Sequence, residues 1–274
     1  MAIPLTIRRL LTIQPVDLPV FHPIAIKMQH LLETADYAMQ DVVDLANEDQ
    51  ALAGQILNMA NSTIYVGRVR SETIKDAVIR LGSQHVCNLA MAASQASLHV
   101  SANPIIHEFM QYLWMHSHAC AVGGRWLARY IGHAQYADQT YMACLLHDVG
   151  KLYLLKAMER LSKVGVGQAS LDKESLLEIF GELHVEMGVR VMGHWNMPRI
   201  YRNVVECHHD EKLDPTDSVM AITRLVDTVS KVKGFGLACD GEIDLLEEEE
   251  AKILSVGQAE VDGLCEAMEQ AMHP

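Results

Sequence analysis

Five histidines and two aspartates in this chain are of the types that hold divalent metals: His116, His147 beside Asp148, His184, His208 beside His209, and Asp227. Imidazole and carboxylate suit Fe, Mn, Ni and Zn. The set is spread over more than a hundred positions, so only a fold can bring it together. Converged, it would hold one or two metal ions able to activate water against a phosphate ester.

The strongest local signal is Leu145-Leu146-His147-Asp148-Val149-Gly150-Lys151. On a helix, Lys151 follows His147 by four positions and Asp148 by three, so it shares their face. A cation there could hold a phosphate beside the metal. Gly150 lets a neighbour or ligand approach the backbone. The competing reading is a solvated polar cluster at a helix end, but Leu145 and Leu146 lead straight into the motif.

His116 and His118 lie two apart and do not share a helix face. Leu113, His116, Cys120, Gly123 and Leu127 form one stripe, and His118, Val122, Arg125 and Arg129 form another that carries the charges. His116 is therefore expected inward and His118 outward. His184 sits in Leu183-His184-Val185-Glu186-Met187-Gly188 and is a weak signal alone. His208-His209 ends a helix whose inward face includes Ile200 and Val204. Neighbouring histidines can serve two metals on either side of a turn, or His209 can lie on the surface. Asp227 follows the apolar stretch that starts at Ile222. Burying so many polar groups without partners would be costly.

The elements that must position these residues read as helices. Met28, Leu31, Leu32 and Ala35 follow helical spacing after Pro15, Pro19 and Pro23, which succeed a leader over residues 1–14. Helices are expected over about 39–46, 52–60 and 73–82, the last with Gly82 at its end and Ser83 capping the next. Longer ones are expected over about 105–131, 137–160, 172–195, 199–209 and 215–232, with a loop at Gly165 and Gly167. The Glu247 to Glu250 run borders a final acidic helix ending near Met272. No alternating strand pattern or internal repeat appears. The expected divisions are an N-terminal lobe over 14–104, a site-bearing lobe over 105–232 and an acidic segment over 233–274.

Composition agrees with an all-α fold. Half of the 274 residues are hydrophobic and only 5% are aromatic, a mixture that favours helices over sheet. The formal charge of −13 opposes binding to nucleic-acid backbones without a local basic patch. Arg8-Arg9 and Arg68 to Arg70 are too small to make one. The six cysteines form no C-x-x-C pair, which implies a reducing compartment. Pro4, Arg8 and Arg9 interrupt any signal-peptide core. No apolar run approaches membrane-spanning length, and a cytoplasmic location is expected.

The order His116, His147-Asp148, Asp227 resembles the four-ligand core of the HD superfamily of metal-dependent phosphohydrolases. His184, His208 and His209 resemble the additional ligands of its dinuclear members, including the HD-GYP phosphodiesterases. The run Asp49-Gln50-Ala51-Leu52-Ala53-Gly54-Gln55-Ile56-Leu57-Asn58-Met59-Ala60-Asn61-Ser62 is similar to a signature of HDOD domains, as is Ile74-Lys75-Asp76-Ala77-Val78-Ile79-Arg80-Leu81-Gly82. The resemblance spans roughly residues 14–232 and implies two packed helical lobes. It implies that Asp148 bridges two metals and that Lys151 binds phosphate. The Gly-Tyr-Pro run of HD-GYP enzymes is absent after His209. Two functions are therefore expected to compete. One is a metal-dependent phosphohydrolase acting on a nucleotide, a cyclic dinucleotide or another phosphoester. The other is a catalytically silent signalling module that binds a partner protein or nucleotide, with the acidic segment from Asp240 as a candidate partner surface.

Overall fold

The computed structural model describes residues 21–34, 36–65, 69–163, 172–236 and 243–272. Helices and turns account for all regular structure among them, with no strand. The chain divides into two compact units, one built from residues 99–265 and the other from residues 20–98 with 266–274. The leader over 1–14, Pro15 and Pro19, Ala35, Arg68, the glycines at 165 and 167, Cys239 and Asp240 lie outside the described residues.

The unit of residues 20–98 contains α1 (Pro23–Leu31), α2 (Met39–Asn47), α3 (Gln50–Ala60), α4 (Ile74–Leu81) and α5 (Ser83–Leu98). Helix α5 forms its centre, buried from His85 to Gln95 and packed on the other four. The N-terminus of α3 is capped by Asp49, whose carboxylate accepts from the Leu52 N–H at 2.8 Å. Thr73 and Asp76 form a reciprocal capping box at α4. Such caps satisfy backbone donors that a helix start leaves orphaned. Gly82 takes φ +86 after α4, a conformation open to glycine. Ser83 is the first residue of α5 and not its cap.

The unit of residues 99–265 contains α6 (Pro104–Tyr130), α7 (Ala137–Leu146), α8 (Val149–Lys163), α9 (Lys173–His194), α10 (Arg199–Cys207), α11 (Ser218–Lys233), α12 (Glu249–Leu254) and the start of α13 (Gln258–Met272). Helix α6 packs on α7, α8 and α11, while α9 packs on α8 and α10. The expected single helix over 137–160 is two helices, broken at His147 and Asp148. The expected single acidic helix near the C-terminus is also two, broken where Ser255 adopts φ +54. Its Glu250 is not solvated: it is 3% exposed and paired with Arg224 at 2.5 Å.

Close backbone approach sets how the site-bearing helices meet. A Cβ at Gly150 on α8 would overlap the His184 carbonyl oxygen on α9 and stand 2.7 Å from the Gly188 nitrogen. A Cβ at Gly188 would stand 2.6 Å from Val205 on α10, and one at Gly124 on α6 would stand 2.6 Å from the Cys144 sulfur on α7. The two glycines on α8 and α9 therefore let His184 come close to Asp148.

Gly150→Ala is expected to wedge α8 from α9. Overpacking of this kind costs about 1–3 kcal/mol or more, and a unit of this size loses about 2–4 °C of melting temperature per kcal/mol. Thermal melts of the variant and wild type check it, and an unchanged melting temperature would mean that the helices are free to separate.

Candidate metal centre

The seven candidate ligands are presented from five helices or helix ends of the 99–265 unit. His116 lies midway along α6, and His147 and Asp148 occupy the break between α7 and α8. His184 is on α9, and Asp227 is on α11. His208 and His209 follow the last turn of α10, with the His208 N–H donating to the Val204 carbonyl at 3.1 Å. The break after Leu146 matters most, because it lets adjacent residues aim at one point. His147 Nε2 and Asp148 Oδ2 are 3.4 Å apart.

All seven residues converge, in two groups that meet at Asp148. In one group His116 Nε2 stands 3.2 Å from His147 Nε2, and Asp227 Oδ1 stands 3.5 and 3.7 Å from them. Asp148 Oδ2 closes this group at 3.3 Å from His116 Nε2. The other group is His184, His208 and His209, with His184 Nε2 at 3.1 Å from His209 Nε2. Asp148 Oδ1 faces it, 3.8 Å from both His184 Nε2 and His208 Nε2. Each oxygen of one carboxylate thus serves a different histidine group. His116, His147, Asp148, His184, His208 and Asp227 are buried, and His209 is exposed.

The hydrogen bonds assign the ring tautomers. His147 Nδ1 donates to the Cys144 carbonyl at 2.7 Å, and His184 Nδ1 to the Phe180 carbonyl at 2.6 Å. His208 Nδ1 donates to the carbonyls of Val204 and Val205 at 3.0 and 3.1 Å. The Ser230 hydroxyl donates to the Phe235 carbonyl at 2.9 Å, which leaves its oxygen to accept from His116 Nδ1 at 2.8 Å. A carbonyl only accepts, so the proton sits on Nδ1 and the Nε2 lone pair turns inward. His116 and His147 then point lone pairs at each other. A metal cation between them would relieve that repulsion.

The residues present fit a metal. Asp148 Oδ1, Asp227 Oδ1 and His208 Nε2 are buried with no hydrogen-bond partner, an arrangement that is expensive without a cation. Ligands held about 2.0–2.2 Å from one ion stand about 3.0–3.5 Å apart, which is close to the spacing of the first group. The donors are nitrogen and oxygen, the set that suits Fe, Mn, Ni or Zn.

Two lysines hold the carboxylates ionised. Lys151 bonds Asp148 Oδ2, and Lys231 bonds Asp227 Oδ2, both at 2.5 Å. Burial alone would raise the Asp148 carboxyl, but the Lys151 ammonium outweighs it and keeps it well below the usual range. Burial likewise opposes ionisation of Asp227, where the Lys231 ammonium favours it. Burial pushes His184 down, against the attraction of Asp148, and pushes His208 further down. A pocket of about 220 Å³ opens beside the cluster. Leu113, Leu177, Phe180 and Phe235 give it apolar walls, and Lys151 and Lys231 both line it.

Sequence reasoning missed Lys231 and Ser230. The signal for Lys231 was its place four residues after Asp227, one helical turn on. His118 is not solvent-facing as expected: it is half-buried and stacked on Trp114, with ring centroids 5.1 Å apart. Of the charges on the stripe it shares, Arg129 is exposed, whereas Arg125 is buried and paired with Asp138 at 2.9 Å.

Among known proteins, the HDOD domain family profile matches residues 18–211. An uncharacterized protein of Treponema pallidum (strain Nichols) is 25% identical over 218 residues, 76% of this chain and 42% of that protein. The chain therefore spans less than half the length of that relative. An HDOD domain protein of unknown function from Geobacter sulfurreducens superposes with TM-score 0.74 at 21% identity, covering 94% of this chain and 93% of the other. A protein from Shewanella amazonensis SB2B, provisionally named a metal-dependent phosphohydrolase, superposes with TM-score 0.77 at 19% identity, covering 97% and 95%. Likeness at these identities is likeness of fold.

The depressed groups give the metal-free protein a definite pH response. His184 and His208 are harder to protonate when folded, so the unfolded chain binds more protons below about pH 6.5 and stability falls as pH drops. The depressed Asp148 and Asp227 contribute stability that is full above about pH 4 and is lost as pH falls below it. Melting of chelator-treated protein between pH 8 and 5 should show a temperature that declines only on the acid side. A melting temperature that rises on acidification would contradict the tautomers assigned above.

Proposed function

The chain belongs to the HDOD domain family, and we propose that it is a metal-dependent phosphohydrolase whose two histidine groups, with Asp148 between them, would hold two metal ions. The observation that carries this reading is the division of the Asp148 oxygens between two histidine groups. His116, His147 and Asp227 would hold one ion, and His184, His208 and His209 the other. When bound, such ions lower the pKa of water and polarise a phosphoryl oxygen.

The chain's own residues supply the rest. Nδ1–H bonds fix four rings in orientation, three to main-chain carbonyls and that of His116 to the Ser230 hydroxyl, so their Nε2 atoms need no rearrangement to act as ligands. Lys151 places an ammonium beside Asp148 at the pocket wall, where it offsets phosphate charge. The apolar walls lower the local dielectric and so strengthen each of these charges. The substrate fitting this site is a phosphoester. No helix among the described residues is long and apolar enough to cross a membrane.

Elemental mass spectrometry of freshly purified protein is expected to find about one or two Fe, Mn, Ni or Zn per chain. Asp148→Ala should lose both the metal and turnover of a phosphoester panel. Lys151→Met should keep the metal and lose turnover by about tenfold or more, the worth of one charged hydrogen bond. Metal retained in wild type with no turnover of any panel member would instead favour the silent signalling module. Hydrolysis surviving Asp148→Ala would refute the centre.

A further inference from the structure

Lys231 is the charged group of this pocket that the hydrolytic reading leaves without a part. It lies on α11, one turn beyond Asp227, and lines the same pocket as Lys151, which comes from α8. An Asp–Lys pair one turn apart is most often a solvated surface pair of little consequence. This one differs, because Asp227 is 6% exposed and the Lys231 side chain is 35% exposed and faces a cavity.

The two lysines are held differently. Lys151 bonds Asp148 Oδ2, the oxygen that also faces His116 and His147. Lys231 bonds Asp227 Oδ2, whereas Asp227 Oδ1 is the atom turned to those histidines. A cation held by His116, His147 and Asp227 Oδ1 would therefore compete with Lys151 for its carboxylate oxygen but would not need the oxygen that anchors Lys231.

Charge balance then bears on the ligand. With the histidines neutral, Asp148 and Asp227 are matched by Lys151 and Lys231. The two divalent ions of the proposed centre would leave an excess of four positive charges. A phosphomonoester dianion would offset half of that excess, and a phosphodiester monoanion a quarter of it. Among the described residues lining the pocket, Asp148 is the acid, and the remaining walls are mostly apolar.

We propose that Lys231 is a second phosphate-binding cation, and that with Lys151 it makes this pocket select a phosphomonoester dianion over a phosphodiester monoanion. The inference rests on the metal-dependent hydrolysis proposed above and narrows its substrate class, away from cyclic dinucleotides. Lys231 acts here on binding, by direct contact with the phosphoryl oxygens.

The test is calorimetric titration of inorganic phosphate and of dimethyl phosphate into the manganese-loaded full chain at pH 7.5, with manganese content measured for each protein. Lys231→Met is expected to keep its manganese, weaken inorganic phosphate by about tenfold and weaken dimethyl phosphate by less than about threefold. Lys231→Arg should recover most of the loss, since it restores the charge. Manganese retained in Lys231→Met with no change in phosphate affinity, or with equal weakening of both probes, overturns the inference alone. Manganese lost from Lys231→Met and not restored in Lys231→Arg makes the residue a structural counter-ion and also overturns it. Wild-type chain that takes up no manganese or other divalent metal defeats the hydrolytic reading itself, and the inference with it.

Discussion

A carboxylate 2% exposed to solvent governs the architecture of the 99–265 unit. Taking the Asp148 charge out of water is costly unless hydrogen bonds or an opposite charge compensate it. Only one of its oxygens has a direct partner, Lys151, and the other has none. Around it the imidazole protons are turned outward to main-chain carbonyls, so lone pairs face the carboxylate. An interior that gathers acceptors against acceptors is a poor core and a good cation site. The electrostatic problem and the proposed chemistry have the same solution.

That constraint explains packing features that would otherwise look arbitrary. His184 can approach Asp148 only if α8 and α9 come nearly into backbone contact, and the absence of a side chain at Gly150 permits it. His208 must arrive from α10, and Gly188 leaves room for Val205 on that helix. The carbonyl that orients His147 belongs to Cys144, whose sulfur fills the space above Gly124. The glycines therefore act on the centre through the helices, by fixing how near the ligands' backbones can come.

Much of this was legible in the sequence, and the failures are instructive. Helical periodicity located the elements, because an apolar face recurs every three to four residues whether or not its partner is known. The ligand types and their order carried the site. The break at His147 and Asp148 was hidden, since Leu146, Val149 and Leu152 continue the helical rhythm across it and no proline interrupts them. The burial of Arg125 was not legible because its partner Asp138 lies thirteen residues away, beyond a turn. Glu250 was lost in a run of glutamates, although it alone of the charged side chains of that run is paired with Arg224. Each miss concerns a charge whose partner is set by tertiary structure, which periodicity does not encode.

The two units also divide the evidence for fold from the evidence for chemistry. The runs over residues 49–62 and 74–82, which carry the resemblance to HDOD signatures, lie in the unit that supplies no candidate ligand. Their distinctive residues serve that unit's own backbone. Asp49 caps α3, Asn61 exchanges hydrogen bonds with Ser71 at 2.8 and 2.9 Å, and Arg80 donates to the Ala60 carbonyl at 2.7 Å. A chain could keep every one of these residues and still lose Asp148 or His208 without any change in the signature. Membership of the family therefore speaks for the helices, while activity has to be argued from the buried carboxylates and the rings around them.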